Sequence, residues 1–182
     1  MIITPEKVKS LYKDEFSGVP DELLAMKLEA IEAAIRSHTN NNFQMRACRT
    51  KAISKGNTLV TYDLVTMLKV GDTVQISKSA YNNGLYVITG ITGNVITLDK
   101  ELIDSDVCLV TKVVYSADIV QGAIELLKWD CGASSKKDKQ GIASESISRH
   151  SVSYQQYDAT NTINGYPSAL FGFCGAYMRA RT

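Results

Sequence analysis

Few side chains of this sequence have the type and spacing that catalysis requires. The chain has two histidines, His38 and His150, and His150 lies among three serines, Ser148, Ser151 and Ser153. A serine hydrolase also needs an orienting acid and a serine on a sharp turn, and the sequence has no GxSxG motif. We therefore interpret His150 as a strand or turn residue, with a hydrolase as the alternative hypothesis. His38 ends an apolar helical stripe, where packing is commoner than ligation.

Motifs that hold metals or phosphates are also missing from the sequence. The glycines follow neither the GxGxxG nor the GxxxxGK[ST] pattern. The four cysteines have no CxxC spacing, so we expect reduced thiols in a cytoplasm and not zinc ligands. The nearest approach to a cation site is Glu101, Asp104 and Asp106, which we interpret as a solvated turn. The sequence therefore predicts no enzymatic activity, no cofactor and no metal.

Two groups of residues have types suited to contacting other macromolecules. Lys136, Lys137 and Lys139 lie in a polar loop and could contact DNA phosphates or an acidic partner, or simply be solvated. The second group is the C-terminal segment, residues 166–182, whose aromatic and arginine side chains are enriched at protein interfaces. Packing against the chain's own core is the alternative for this segment. Its candidate contact residues are Tyr166, Pro167, Leu170, Phe171, Phe173, Tyr177, Met178, Arg179 and Arg181.

The composition is that of an ordinary globular protein. The 182 residues suffice for one domain, or for one domain with a small insert. Lys and Arg number 20 and Asp and Glu 19, spread evenly along the chain. A dedicated nucleic-acid binder usually carries a basic excess, so the charge balance disfavours that class. No apolar run approaches the roughly 18 residues that cross a bilayer, and the opening residues do not resemble a signal peptide.

Helices are predicted towards both ends of the chain. A short first helix should begin at Pro5, where Thr4 can cap it. A second should run from about residue 20 to the asparagines at 40–42, because its apolar residues recur at helical spacing. A third is expected from Ser116 to about residue 130, and a last short helix from Pro167.

The middle of the chain is predicted to be β-structure. Val, Ile and Thr make up 25 of residues 50–115 but only eight of residues 1–49, and β-branched residues suit strands. Turn signals such as Asn83-Gly84 and Gly93-Asn94 separate about five short strands. We therefore expect an α+β fold: a small antiparallel helical host of about four helices plus a β-hairpin, with an inserted small β-barrel or sandwich. The host would comprise residues 1–45 and 115–182, and the all-β insert residues 46–114.

Three stretches carry a resemblance to a known family. They are ITPEKVK (3–9) followed by a helix ending in SHTN (37–40), then GIASESIS (141–148) with SVSY (151–154), and finally residues 166–181 from Tyr-Pro to Tyr-Met-Arg-Ala-Arg. In this order they resemble the head–tail connector (adaptor) proteins of tailed phages, whose pattern includes a GI.SESIG..SVTY element. The simplest members are compact and helical, so residues 46–114 depart from the family pattern.

The resemblance implies a virion protein that forms a ring, often dodecameric, beneath the portal at the head–tail interface. Its implied partners are the portal protein, neighbouring copies, the next connector or tail-completion protein, and passing double-stranded DNA without sequence preference, with no membrane. Subunits would occupy the host cytoplasm during assembly. The C-terminal segment would face the portal, the three lysines the channel or a neighbour, and the β module the ring's outside. The alternative is a nucleic-acid-binding small β-barrel on a helical scaffold, with Tyr62, Tyr81 and Tyr86 as stacking platforms.

Overall fold

The structure, a computed structural model, describes residues 1–63, 66–104, 107–131, 144–147, 150–153 and 161–180, with only the backbone described for 144–147 and 150–153. The chain divides into two compact units. The first, which we call the barrel unit, comprises Met1 and Asn42–Tyr115. The second, the terminal unit, comprises Ile2–Asn41 and Ser116–Thr182.

Six antiparallel strands close into a barrel in the barrel unit, in the order β1-β2-β5-β4-β3-β6, with β6 returning to pair with β1. The dense β-branched residues of this part of the chain favour strands, and positive-φ glycines at Gly56 and Gly93 form the turns of two hairpins. The strands are β1 (Gln44–Lys55), β2 (Thr58–Thr61), β3 (Thr73–Ser77), β4 (Gly84–Thr92), β5 (Val95–Leu98) and β6 (Val107–Val113).

Inward-facing side chains of these strands form the core of the barrel, together with two loop residues, Leu68 and Leu102. The inward-facing side chains alternate with outward residues along each strand, as the pleat requires. Burying each large apolar side chain contributes about 1.5–3 kcal/mol. The core consists of Ala52, Leu59, Leu68, Val74, Ile76, Ile88, Ile96, Leu98, Leu102, Cys108 and Val110.

A buried asparagine fastens the loop after β5 to the barrel. The Asn82 amide donates to the Ile103 carbonyl at 2.6 Å and to the Ser54 hydroxyl at 3.2 Å. In return the Ile103 N–H donates to the Asn82 side-chain oxygen at 2.9 Å. This exchange satisfies backbone groups that no strand partner reaches, so the loop has a defined position.

The described part of the terminal unit contains four α-helices: α1 (Pro5–Leu11), α2 (Lys13–Phe16), α3 (Asp21–Thr39) and α4 (Ala117–Cys131). Thr4 caps α1 by accepting from the Lys7 N–H, and Asn40 ends α3 in the left-handed conformation at φ 48°. Helix α3 packs on α4, with Leu28 and Leu127 fully buried. An ion pair from Lys27 to Asp130 joins the two helices.

The remaining elements that the structure describes in the terminal unit are two small hairpins and a final helix. Strands β7 (Ser144–Ile147) and β8 (His150–Ser153) pair antiparallel, as do β9 (Thr162–Ile163) and β10 (Tyr166–Pro167). A 3-10 helix (Ser168–Tyr177) then packs against α3 and α4. None of the helices within the described residues is both long and apolar enough to cross a membrane.

The expectation of a small helical host carrying a β insert is wrong. The described residues form a mixed α+β fold with a six-stranded antiparallel sheet and five helices, in which the sheet is a principal element. Two of those helices, α1 and α2, have only seven and four residues, and the last one is 3-10 and not α. The sheet is larger than expected because β1 begins at Gln44 and pairs on both sides, with β2 and with β6.

Candidate functional site

The C-terminal segment enters the terminal unit through the β9–β10 hairpin. Asn164 and Gly165 form its two-residue turn with positive φ at both positions, 50° and 84°, as a type I′ turn requires. The ten residues that follow are 3-10, although runs beyond three or four residues are uncommon. Gly172 and Gly175 each disfavour an α-helix by about 1 kcal/mol, so packing against α3 and α4 must hold this segment in place.

Phe171 is the central anchor of the segment. Its ring is buried, with the His38 ring of α3 meeting it edge-on at a centroid distance of 5.1 Å. Tyr166 lies 6.2 Å away on one side and Phe173 stacks at 6.3 Å on the other. Edge-on and offset aromatic pairs stabilise beyond their buried area by about 0.5–1.5 kcal/mol. His38 therefore packs against an aromatic ring, as the sequence predicts.

Phe173 lies in a notch on α4 that exists because residue 122 is glycine. A Cβ built on Gly122 would overlap three carbon atoms of the Phe173 ring. Any larger residue at position 122 would have to displace the aromatic ring. The glycine, which weakens α4 locally, is thus explained by the close approach of the C-terminal segment.

A polar cluster holds the end of the 3-10 helix. The Tyr177 hydroxyl donates to both carboxylate oxygens of Asp118, at 2.8 and 2.7 Å, and accepts from the Ser116 hydroxyl at 2.8 Å. The Asn41 amide donates to the Tyr177 carbonyl at 3.1 Å. Hydrogen bonds from Ser116 and Tyr177 lower the pKa of the exposed Asp118 carboxyl below its ordinary value.

Beyond Tyr177 the backbone follows the end of α3. The Arg179 N–H donates to the Thr39 carbonyl at 2.8 Å, and the Asn40 amide donates to the Ala180 carbonyl at 2.9 Å. These bonds hold the main chain while the side chains of Met178 and Arg179 are exposed, Met178 by 56%. The segment therefore has an anchored part and a part open to contact.

Burial also changes the acidity of two groups in the anchored part. Burial, followed by the negative charge of Asp130, raises the pKa of Tyr166 to about 12. Burial, followed by the charge of Asp118, raises the pKa of the Cys174 thiol to about 11. Cys174 is fully buried, so its thiol is unreactive while the segment stays docked.

The candidate contact residues therefore divide by burial. Phe171 and Pro167 are buried, and Met178 and Arg179 are exposed. The half-buried ones are Tyr166, Leu170, Phe173 and Tyr177. The other candidates, Arg181 and the three loop lysines Lys136, Lys137 and Lys139, lie outside the described residues.

The three tyrosines proposed as stacking platforms on the barrel differ in exposure. Tyr62 is 60% exposed and Tyr81 74%. Tyr86 packs against the barrel core, and its hydroxyl donates to the Asn82 carbonyl at 3.1 Å. Two of the three rings are therefore free to stack, and the third is part of the fold.

The part of the chain that the structure describes contains no group of three or more His, Cys, Asp and Glu residues that could hold a metal ion. The Asp104 carboxylate accepts from the Gly56 N–H at 2.7 Å, whereas Asp106 lies outside the described residues. His150 lies in β8, where its backbone pairs with Ile147.

A further surface was not predicted from the sequence. Ile53, Val60 and Val107 lie side by side on the outer face of the barrel, because β1 pairs with β2 and β6 at this register. The available signal was that adjacent residues of a strand, such as Leu59 and Val60, are both apolar, so both faces of that strand carry apolar side chains.

Comparison with protein-family models finds no match to this chain, and comparison with curated proteins finds none either.

Proposed function

We propose that this protein is a structural protein of tailed phages, an adaptor that forms a ring beneath the portal at the head–tail junction. The ring, dodecameric in many proteins of the class it resembles, extends the DNA channel and offers a docking surface to the next connector or tail-completion protein. The proposal is supported by the order and spacing of the three matching stretches. On this account the protein acts by binding and not by catalysis, in the host cytoplasm during assembly and then in the virion.

The observation that carries the proposal is the division of the C-terminal segment into anchored and exposed parts. Phe171 and Phe173 hold the segment on α3 and α4, while Met178 and Arg179 project from a backbone fixed by hydrogen bonds. A pre-ordered contact segment loses little conformational entropy on binding, which favours affinity. Methionine and arginine are also enriched at protein interfaces. We therefore assign the portal contact to Met178 and Arg179 and a supporting role to the buried aromatic residues.

DNA passing through such a ring must slide, which favours sparse positive charge over a strongly basic surface. The near-neutral balance of the chain, with a net charge of +1, agrees with this requirement. Lys136, Lys137 and Lys139 are proposed to face the channel or a neighbouring copy. Their contacts with DNA would be with phosphates and hence without sequence preference.

Binding to the portal protein encoded by the same genome tests this assignment. The double variant Met178→Ala with Arg179→Glu should weaken portal binding by tenfold or more in a sedimentation assay. Its fold should be unchanged, because both side chains are exposed and the Arg179 N–H keeps its bond to Thr39. Val70→Ala with Lys78→Glu, a pair on the barrel unit that is equally exposed, is the control. Equal portal binding by both double variants would refute the assignment.

Single-stranded nucleic-acid binding by the barrel is a second candidate, favoured by the exposed rings of Tyr62 and Tyr81. Stacking on exposed aromatic rings contributes about 1–3 kcal/mol per base. Titration of a fluorescent oligonucleotide at about 50 and about 200 mM salt would reveal phosphate contacts by a steep fall in affinity. If Tyr62→Ala with Tyr81→Ala left all measured binding unchanged, this candidate would be rejected.

A further inference from the structure

An apolar row crosses the outer face of the barrel. Ile53 on β1 faces Val60 on β2 and Val107 on β6, and Val60 faces Val95 on β5. Ile53, Val60 and Val107 are 42%, 38% and 43% exposed, and Val95 is half-buried. We call these four residues the barrel row. Four neighbouring strands thus place a β-branched apolar side chain outward at the same level, where a solvated sheet face would carry polar residues.

Two lysines flank the barrel row. Lys51 and Lys55 lie two residues before and after Ile53 on β1, so their side chains leave the same face of the sheet. Both are exposed, and neither ammonium group has an ion-pair partner among the described residues. Near the same turn, the Asp104 carboxylate is engaged by the Gly56 N–H. The surface is therefore apolar at its centre and basic on either side.

Helix α3 carries a second apolar surface on the side away from its core. Leu23, Met26, Ala30 and Ala33 follow one another at spacings of three, four and three residues, and all four are exposed. We call them the α3 outer stripe. The large apolar side chains that the helix buries lie on its opposite face, and they are Leu24, Leu28, Ile31 and Ile35. The outer stripe therefore does not contribute to the core of the terminal unit.

Acidic side chains border the α3 outer stripe. Glu22 lies four residues before Met26, and Glu29 lies three residues after it, so both side chains project beside the stripe. Both are exposed. The largest side chain of the stripe, Met26, is 62% exposed, and methionine adapts well to irregular partner surfaces. This surface is apolar at its centre and acidic along one margin.

The two surfaces are complementary in charge and in length. The barrel row extends over three inter-strand steps, about 14 Å. The α3 outer stripe extends over ten residues of helix, about 15 Å. One surface is bordered by lysines and the other by glutamates, which favours their association and disfavours contact of either with itself.

We propose that the barrel row of one copy of this chain binds the α3 outer stripe of a second copy. The contact joins two unlike surfaces, so it is heterologous, and its repetition by rotation closes a ring. The inference deepens the proposed ring and, for its closure, rests on it. It also replaces the expectation that the β module lies on the ring's outside. Nucleic acid is the weaker occupant, because β-branched side chains cannot stack on bases and the acidic α3 surface would repel phosphates.

Charge reversal in the full chain provides the test. Variant B carries Lys51→Glu with Lys55→Glu, and variant A carries Glu22→Lys with Glu29→Lys. Each variant alone brings like charges together, so its self-association should weaken at least tenfold. Sedimentation velocity over a concentration series measures this association, both for the protein alone and in the presence of portal. A chain with all four substitutions, and a 1:1 mixture of A and B, should recover it. Lys69→Glu with Lys78→Glu is the matched control on the same barrel and should behave as wild type.

Several outcomes would overturn the inference. It fails if variants A and B associate like the control, if the combined chain recovers nothing, or if the wild-type chain remains monomeric both alone and on portal. Should rings form on portal with all variants alike, this interface is wrong while the proposed function stands. Should the charge-dependent association occur in solution without any portal binding, the proposed function is wrong while the interface stands. Lysine-dependent binding of an oligonucleotide in place of self-association would favour the nucleic-acid alternative.

Discussion

Replacing Gly122 by alanine should undock the C-terminal segment. The added methyl group would occupy the space of the Phe173 ring, which lies directly on the glycine. Alanine also stabilises a helix interior by about 1 kcal/mol relative to glycine. That gain applies to α4 whether the segment is docked or not, so it does not offset the effect on docking.

The magnitude follows from the overlap. Overpacking a well-filled contact costs about 1–3 kcal/mol. Because the docked state alone bears this cost, the population of the undocked segment should rise by about 5-fold to about 150-fold. Phe171 would become exposed together with Phe173, since their rings stack at 6.3 Å.

Alkylation of Cys174 measures the undocked population. This thiol is fully buried and its pKa is about 11, so it reacts only when the segment opens. Peptide mass spectrometry separates its alkylation from that of the other cysteines. Cys108, buried in the barrel core, is an internal reference that should not change.

Two control variants isolate the overlap as the cause. Gly172→Ala adds the same methyl group where no atom lies within 4 Å, so Cys174 should react as in the wild type. Adding Phe173→Ala to Gly122→Ala removes the clash, so the two substitutions should be far from additive. If Gly122→Ala left Cys174 as slow to react as in the wild type, the account of the α4 notch would be refuted.

Three further predictions concern pH and a buried hydrogen bond. Folding raises the pKa of Tyr166 to about 12. The contribution of its neutral hydroxyl to the free energy of folding is therefore intact below about pH 10 and should be lost as the pH rises towards 12. Trp129 fluorescence should follow this loss, and Tyr166→Phe should remove its pH dependence. If the Tyr166→Phe variant kept the wild-type pH profile, ionisation of Tyr166 would not be the cause. Folding lowers the pKa of Asp118. The contribution of its carboxylate to docking of the C-terminal segment is therefore present above about pH 4 and should be lost as the pH falls below that value. Asp118→Asn should therefore increase Cys174 alkylation near neutral pH and flatten its acid dependence, whereas identical curves would exclude the Tyr177 contact as the cause. Asn82→Ala should lower the free energy of unfolding of the barrel by about 1–3 kcal/mol, because Ile103 loses both partners. Urea unfolding followed by circular dichroism would measure this, and a loss below about 0.5 kcal/mol would show that water replaces the amide.

Local signals in the sequence located several elements, because turns and caps are determined by neighbouring residues. The Gly93-Asn94 turn precedes β5, and Thr4 caps α1 as predicted, whereas Asn83-Gly84 is not a tight turn, because Gly84 already pairs with Ile76 as the first residue of β4. Strand β1 was not predicted as a strand, and its opening residues QMRACR have little β-branched character. That stretch is a strand because β6 pairs with it, and such distant pairing leaves no local pattern. The prediction of a small helical host was wrong for the same reason, because pairing between distant strands is not visible in the local sequence.

The residue types of the C-terminal segment could be read from the sequence, but the division of the segment into anchored and exposed residues could not. Aromatic residues at short spacing indicated that the C-terminal segment must lie against a surface. Which of these aromatic residues are anchors depends on α4. In the sequence, Gly122 only lowers the helix propensity of α4, and its role as the contact for the Phe173 ring is visible only in the structure. In the same way, the barrel row requires the register of four strands, which alternation within each strand does not determine.

Electron cryomicroscopy of the protein mixed with its portal tests the central proposal most directly. We expect a closed ring of copies coaxial with the portal, with Met178 and Arg179 at the portal contact and each barrel against α3 of the next copy. Particles in which the portal carries no ring at any protein concentration or salt would contradict it.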